Sequence, residues 1–268
     1  MSRYAAIFDG RKSRGEGAFG AFVMLGDPSP GACAAYLDAL VAGGADMIEV
    51  GIPFSDPVAD GPVIQAAAAR ALGAGVRTAD CLRLITEFRT RHPAMPLGVL
   101  TYANIVAARG IAVFAEQLAS AGADSLLVAD VPTLEAPPYS RACAAAGVDL
   151  VMIAAPNTPE AALRRIAQLS SGYTYCVARA GVTGADRRLN LDHGPVFAAL
   201  RELGAPPPVL GFGVATPAHV GEAVASGAAG VICGSAIVRR IAEGQSPEQI
   251  RCFIAEMKSA TLSQAVPA

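Results

Sequence analysis

Three carboxylates stand close together in "MIEVGIPFSDPVADGP" (Met47 to Pro62). Glu49 lies inside an apolar run, and Asp56 and Asp60 follow in a proline-studded loop. An ionised carboxylate in a buried strand is costly. It either finds a cation or its pKa climbs until it can exchange protons near neutrality. The sequence leaves both outcomes open for Glu49: a structural ion pair, with Arg179 as the main candidate, or general acid/base work. Side chains alternate along a strand, so Met47, Glu49 and Gly51 share one face while Ile48 and Val50 share the other. Asp56 and Asp60 read as ordinary turn formers or as acids on a loop that closes over a ligand.

Glycine marks a second cluster. "GFG" (Gly211 to Gly213) ends one apolar run and "CGS" (Cys233 to Ser235) ends another, opening directly into the helical stretch "AIVRRIAEG". Glycines there let backbone N–H groups approach an anion, and a helix N-terminus adds a favourable dipole. The polar loop "RAGVTGADRR" suits a lid that adds Gly184 to the same site. Tight turns in an alanine- and glycine-rich chain are the plainer alternative. The lysines, Lys12 and Lys258, fall near the two ends of the chain, so a Schiff base lacks its nucleophile. Cys33, Cys81, Cys143, Cys176, Cys233 and Cys252 form no C-x-x-C pair and read as small reduced core residues. His92, His193 and His219 are dispersed, and no metal site assembles from spacing. What remains is acid/base chemistry on a phosphorylated substrate able to hold its own developing charge.

The elements that must position these groups show as short, continuous apolar runs, the pattern of strands buried on both faces of a parallel sheet. They start at Gly20, Met47, Leu97, Ser125, Leu150, Tyr173, Val209 and Gly230, about 30 residues apart on average, the length of a strand plus a crossover helix. Helical segments with Ser or Thr followed by Pro lie between them, from Thr158, Thr216 and Ser246. The expected fold is a single-domain (β/α)8 TIM barrel over residues 1–268, with an open doubly wound sheet as the alternative. Extra helices are expected at Tyr4 to Ser13 and between the second and third strands. In such a barrel the site lies at the carboxyl ends of the strands, which points Glu49 into the catalytic mouth.

Composition excludes other classes. Hydrophobic residues make up 53% and charged residues 16%, so a packed interior is expected rather than disorder. A net charge of -2 gives no basic field for nucleic acid. Glycine breaks the uncharged runs below the roughly 20 residues of a membrane span, and the N-terminus carries no secretory pattern, so a cytoplasmic protein is expected.

These same residues carry a family resemblance over essentially the whole chain. "FVMLGDP" (from Phe22), "IEVGIPFSDPVADGPVIQ" (from Ile48), "TYANIV" (from Thr101), "LVADVP" (from Leu127), "GYTYCVARAGVTG" (from Gly172), "GFGV" and "GSAIV" resemble the alpha-subunit family of tryptophan synthases. The resemblance implies cleavage of indole-3-glycerol phosphate to indole and glyceraldehyde 3-phosphate. It makes Glu49 the principal acid/base and sets Asp60 on the indole N–H. It implies an apolar pocket of Phe22, Ile64, Leu100, Leu127, Tyr175 and Phe212. Gly184, Gly213, Gly234 and Ser235 would hold the phosphate, with Arg179 and Thr183 on the lid. It also implies a beta-subunit partner in an α2β2 assembly, contacted by Pro53, Asp56 and Asn104; pyridoxal phosphate belongs to that partner and this chain needs no cofactor. One departure is "ARA" before "GVTG", where a serine often stands beside the arginine. A stand-alone indole-releasing lyase, a non-catalytic allosteric subunit and a sugar-phosphate isomerase barrel are the competing readings.

Overall fold

The computed structural model describes residues 2–177, 193–211 and 213–262. The apolar runs become β1 (Ala18–Met24), β2 (Met47–Gly51), β3 (Leu97–Thr101), β4 (Ser125–Val128), β5 (Asp149–Ala154), β6 (Thr174–Cys176), β7 (Pro208–Leu210) and β8 (Gly230–Cys233). Each strand pairs in parallel with the next, and β8 pairs with β1 from Ala18↔Gly230 to Ala21↔Cys233. That last ladder closes a (β/α)8 barrel and removes the open-sheet alternative. β7 is shorter than the run "VLGFG" suggests. It ends at Leu210; the N–H of Gly211 still bonds the Cys176 carbonyl at 2.9 Å, and the chain then leaves the ladder at the barrel mouth.

The helices are α1 (Arg3–Lys12), α2 (Pro30–Ala42), α3 (Pro62–Gly73), α4 (Thr78–Arg91), α5 (Ala103–Ala107), α6 (Ile111–Ala121), α7 (Pro137–Ala146), α8 (Glu160–Leu169), α9 (Gly194–Glu202), α10 (Pro217–Ala225), α11 (Ser235–Ala242) and α12 (Pro247–Ser259). The extra helices expected before β1 and between β2 and β3 are present as α1 and the α3–α4 pair. The short α5 between β3 and β4 was not legible. Ser29, Thr216 and Ser246 cap their helices by accepting a backbone N–H, and Ser246 and Gln249 form a reciprocal box. Each such cap stabilises its helix by about 1 kcal/mol. α8 starts two residues later than its sequence signal because Thr158 turns its hydroxyl back to the N–H of Ala155.

The strand alternation sorts the core into two layers. Ile48, Val50, Leu97, Val99 and Leu126 face the surrounding helices, whereas Phe22, Met47, Leu127, Val151, Tyr175, Val209 and Ile232 fill the barrel. Tyr4 and Phe8 of α1 join the inner cluster, so this helix closes the amino-terminal end of the barrel. Polar staples hold it there. Asp124 takes Arg3 at 2.6 Å, Arg89 at 2.7 Å and the N–H of Leu97 at 2.7 Å. Asp46 takes Arg11, Lys258 at 2.6 Å and the N–H of Phe19 at 2.7 Å. With this floor sealed, the carboxyl ends of the strands are left for chemistry. The cysteines are unpaired thiols, and Cys252 is a correction: it lies exposed on the outer face of α12 rather than in the core. Among the described residues no helix is long and apolar enough to cross a membrane.

Candidate active site

Glu49 is the middle residue of β2, and the pleat turns it into the barrel, 2% exposed. Tyr173, just before β6, donates its hydroxyl to Glu49 Oε1 at 3.0 Å, while Oε2 is buried with no hydrogen-bond partner among the described residues. None of the ion pairs formed by the described residues involves Glu49; Arg179 lies outside them. Burial therefore dominates and lifts the Glu49 carboxyl to about 7. The Tyr173 hydroxyl pulls the other way, and the nearby charge of Asp60 adds to the rise.

Asp60 sits where the β2–α3 loop turns into α3, 7% exposed. Tyr102 donates to its Oδ2 at 2.8 Å, and Gln65 of α3 donates to its backbone carbonyl at 2.7 Å. Burial raises this carboxyl to about 6, against the Tyr102 hydrogen bond that lowers it. Near neutrality Asp60 is mainly ionised while Glu49 is divided between its two forms. Environments that set two carboxyls apart in this way assign one to proton exchange and the other to charge.

Both acids line one cleft of about 500 Å³, counting its open mouth. Phe22, Ile64, Leu100, Tyr175 and Ile232 supply its apolar wall, and Gly211, Gly213, Val214, Gly234 and Ser235 its rim. Leu127 belongs to the inner cluster but does not line the cleft. Phe212, Arg179, Thr183 and Gly184 lie outside the described residues. On the rim, Gly213 takes φ +77°, a left-handed conformation that a side chain strains. Gly211 is constrained by space: a Cβ there would fall 2.0 Å from the Tyr175 ring, whose hydroxyl donates to the Gly211 carbonyl. Ser235 begins α11 with Gly234 as its cap, and the first bonds within this turn run from Ile237 and Val238 to Gly234. The N–H groups ahead of them are the free donors that an anion uses at a helix start.

Sequence reasoning missed Tyr173, Tyr102, Val214 and Ile232 as site residues, and placed Gly211 only as part of the glycine cluster "GFG". Tyr173 was reachable, because it stands two residues before Tyr175 and shares its inward parity. The expected partner contacts divide. Pro53 is buried in its loop, whereas Asp56 and Asn104 are exposed. Two large apolar side chains stand out in the neighbouring βα loops, Val58 at 70% and Leu134 at 68% exposure.

Known proteins match this chain nearly end to end. The family profile described as "Tryptophan synthase alpha chain" matches residues 8–266. The tryptophan synthase alpha chain of Shewanella amazonensis is 48% identical over 266 residues, 97% of this chain and 100% of its own length. That of Aeromonas hydrophila is also 48% identical, over 97% and 99%. Among solved structures, tryptophan synthase of Mycobacterium tuberculosis superposes with a TM-score of 0.88 at 31% identity, covering 97% of this chain and 98% of that one. The alpha chain of Legionella pneumophila superposes with a TM-score of 0.87 at 28% identity over 100% of both. An inward acid on β2, a second acid on the loop after it and a glycine rim at β7 and β8 thus stand in a chain that belongs to the tryptophan synthase alpha chain family.

Proposed function

We propose that this chain cleaves indole-3-glycerol phosphate to indole and D-glyceraldehyde 3-phosphate and passes the indole to a beta subunit. The family membership makes it a lyase subunit of tryptophan biosynthesis. The observation that carries the finer reading is Glu49, an acid with no basic partner among the described residues, sharing one cleft with Asp60.

Protonated Glu49 gives its proton to indole C3, and the positive charge this creates is delocalised onto N1, where ionised Asp60 accepts the N–H. Glu49, now a carboxylate, removes the proton of the adjacent side-chain hydroxyl. The O–H electron pair becomes the aldehyde C=O, the carbon–carbon bond breaks, and its pair returns to the ring to restore indole. Glu49 ends protonated as it began. The ring is the electron sink, so the reaction asks for no lysine in the cleft, and Lys258 is bonded to Asp46 instead. The phosphate is held by Gly213, Gly234, Ser235 and the start of α11, with Gly184 and the Arg179–Thr183 segment assigned to the same end by resemblance. Asp56, Val58, Asn104 and Leu134 form the face offered to the beta subunit of an α2β2 assembly, which carries the pyridoxal phosphate.

Purified chain is assayed for indole release from indole-3-glycerol phosphate, alone and with a beta subunit. Release that rises with the beta subunit and drops by about 10² or more in Glu49→Gln supports the reading. Undiminished release in Glu49→Gln refutes it, and full turnover without any partner favours a stand-alone lyase.

A further inference from the structure

Tyr102 occupies the junction between β3 and α5, where it is the N-cap residue and is buried. One side chain on this rigid wall grips the β2–α3 loop at three points. Its ring stacks on Phe54, with centroids 5.3 Å apart and an interplanar angle of 29°. Its hydroxyl oxygen accepts the backbone N–H of Ala59 at 3.3 Å, and the hydroxyl donates to Asp60 Oδ2 at 2.8 Å. The donor and acceptor capacities of the phenol are both engaged, so the hydroxyl proton has one direction to point. From the other side Gln65 fixes the Asp60 carbonyl. The loop end that carries Asp60 is thereby clamped between β3 and α3, although the residue lies outside both.

We propose that Tyr102 is a positioning residue for the lyase reaction, aiming the Asp60 carboxylate into the cleft and holding it in its ionised form. The proposal rests on the role given to Asp60 above. The charged and titratable groups around this pair are Glu49 from β2, Tyr175 from β6 and Asp130 from the β4–α7 segment. Arg70 of α3 is committed to Asp27, at 2.7 and 2.9 Å. Burial is what disfavours ionisation of Asp60, and the hydrogen bond donated by Tyr102 is what opposes it.

Tyr102→Phe deletes one oxygen and keeps the stack on Phe54. In the full chain, alone and with the beta subunit, kcat for indole release is expected to fall about twofold at pH 7 and close to about tenfold at pH 5, with KM little changed. The acid limb of the kcat profile is expected to move upward by about one pH unit, so that variant and parent converge as pH rises. The loss is expected to vanish in an Asp60→Asn background, because a residue acting through Asp60 has nothing further to lose. Replacement of Tyr102 by 3-fluorotyrosine, a stronger donor of nearly the same size, should move the acid limb the opposite way. That variant decides the matter if the phenylalanine variant folds poorly. An unmoved acid limb in these variants, or the same fold-loss with and without the Asp60 carboxylate, overturns the proposal and leaves Tyr102 as scaffold. Full activity in Asp60→Asn alone overturns the underlying site reading instead, which keeps the two failures apart.

Discussion

Glu49→Gln should remove one defined pH dependence from the stability of this barrel. The carboxyl moves from its usual 4.5 to about 7 on folding because burial penalises the charged form. Below the lower value both the folded and the unfolded chain hold the proton, and the group contributes nothing. Between the two values the folded state binds more protons than the unfolded one, so stability falls as pH rises. Above the upper value the native state carries a buried anion. At about 1.4 kcal/mol per pH unit, the accumulated cost is about 3 kcal/mol. The group is fully buried, so solvent does not screen this cost away. Glutamine cannot ionise. It carries its own penalty, amide hydrogens facing a cleft wall whose described residues offer Glu49 only the Tyr173 hydroxyl, but that penalty does not depend on pH. Urea unfolding of both proteins at a series of pH values from about 5 to 8 isolates the difference, since every other titrating group cancels. The stability of the variant relative to its parent should climb by about 2.5 kcal/mol across that range. A difference that is flat to within about 1 kcal/mol would mean that Glu49 has a cationic partner and is an ion-pair residue after all.

Two further outcomes follow from the rim and the floor. A Cβ on Gly234 would rest 3.4 Å from the Phe22 ring, an ordinary contact, so Gly234→Ala should change stability by less than about 0.5 kcal/mol. It should still raise KM for the phosphorylated substrate about tenfold by crowding the backbone N–H groups; an unchanged KM places the phosphate elsewhere. Asp46→Ala removes the acceptor shared by Arg11, Lys258 and the N–H of Phe19, leaving Lys258 half-buried beside an empty site. Denaturant unfolding should show a loss of about 3 kcal/mol with KM unaltered, and a loss below about 1 kcal/mol would make the floor staple dispensable.

The barrel was legible because its strands are buried on both faces and so read as unbroken apolar runs at regular spacing. The inward face of β2 followed from parity together with the branched pair Ile48 and Val50, which suits the helix layer and leaves Glu49 on the barrel side. The acids and the glycine rim were legible for a related reason: each breaks the local rule of its element, a charge in a core strand or glycine where a strand should continue. The tyrosines that tune the acids were not. Tyr173 is 124 residues from Glu49 and Tyr102 is 42 from Asp60, and in an apolar run a tyrosine is indistinguishable from packing until closure brings its hydroxyl to a carboxyl. Closure also decides which inner-layer side chains border the cleft, so Leu127 could be assigned to the inner face but not excluded from the wall.

Hydroxyls rather than cations contact both acids in the described residues, and the reaction gives a reason. At the low effective dielectric of a sealed barrel, a guanidinium a few ångströms from Glu49 would outweigh its desolvation and keep it ionised. It could then accept a proton but not deliver one to a carbon at neutral pH. A phenol donor contributes roughly 1 to 3 kcal/mol to an ionised partner, enough to fix its direction and trim its proton affinity without settling its charge. Glu49, with one such donor and a second oxygen that has no partner among the described residues, stays near 7, where giving and taking a proton are balanced. Asp60 is less deeply enclosed and rests near 6, on the ionised side of neutrality. Burial thus sets how far each carboxyl rises, and one tyrosine apiece sets where it points.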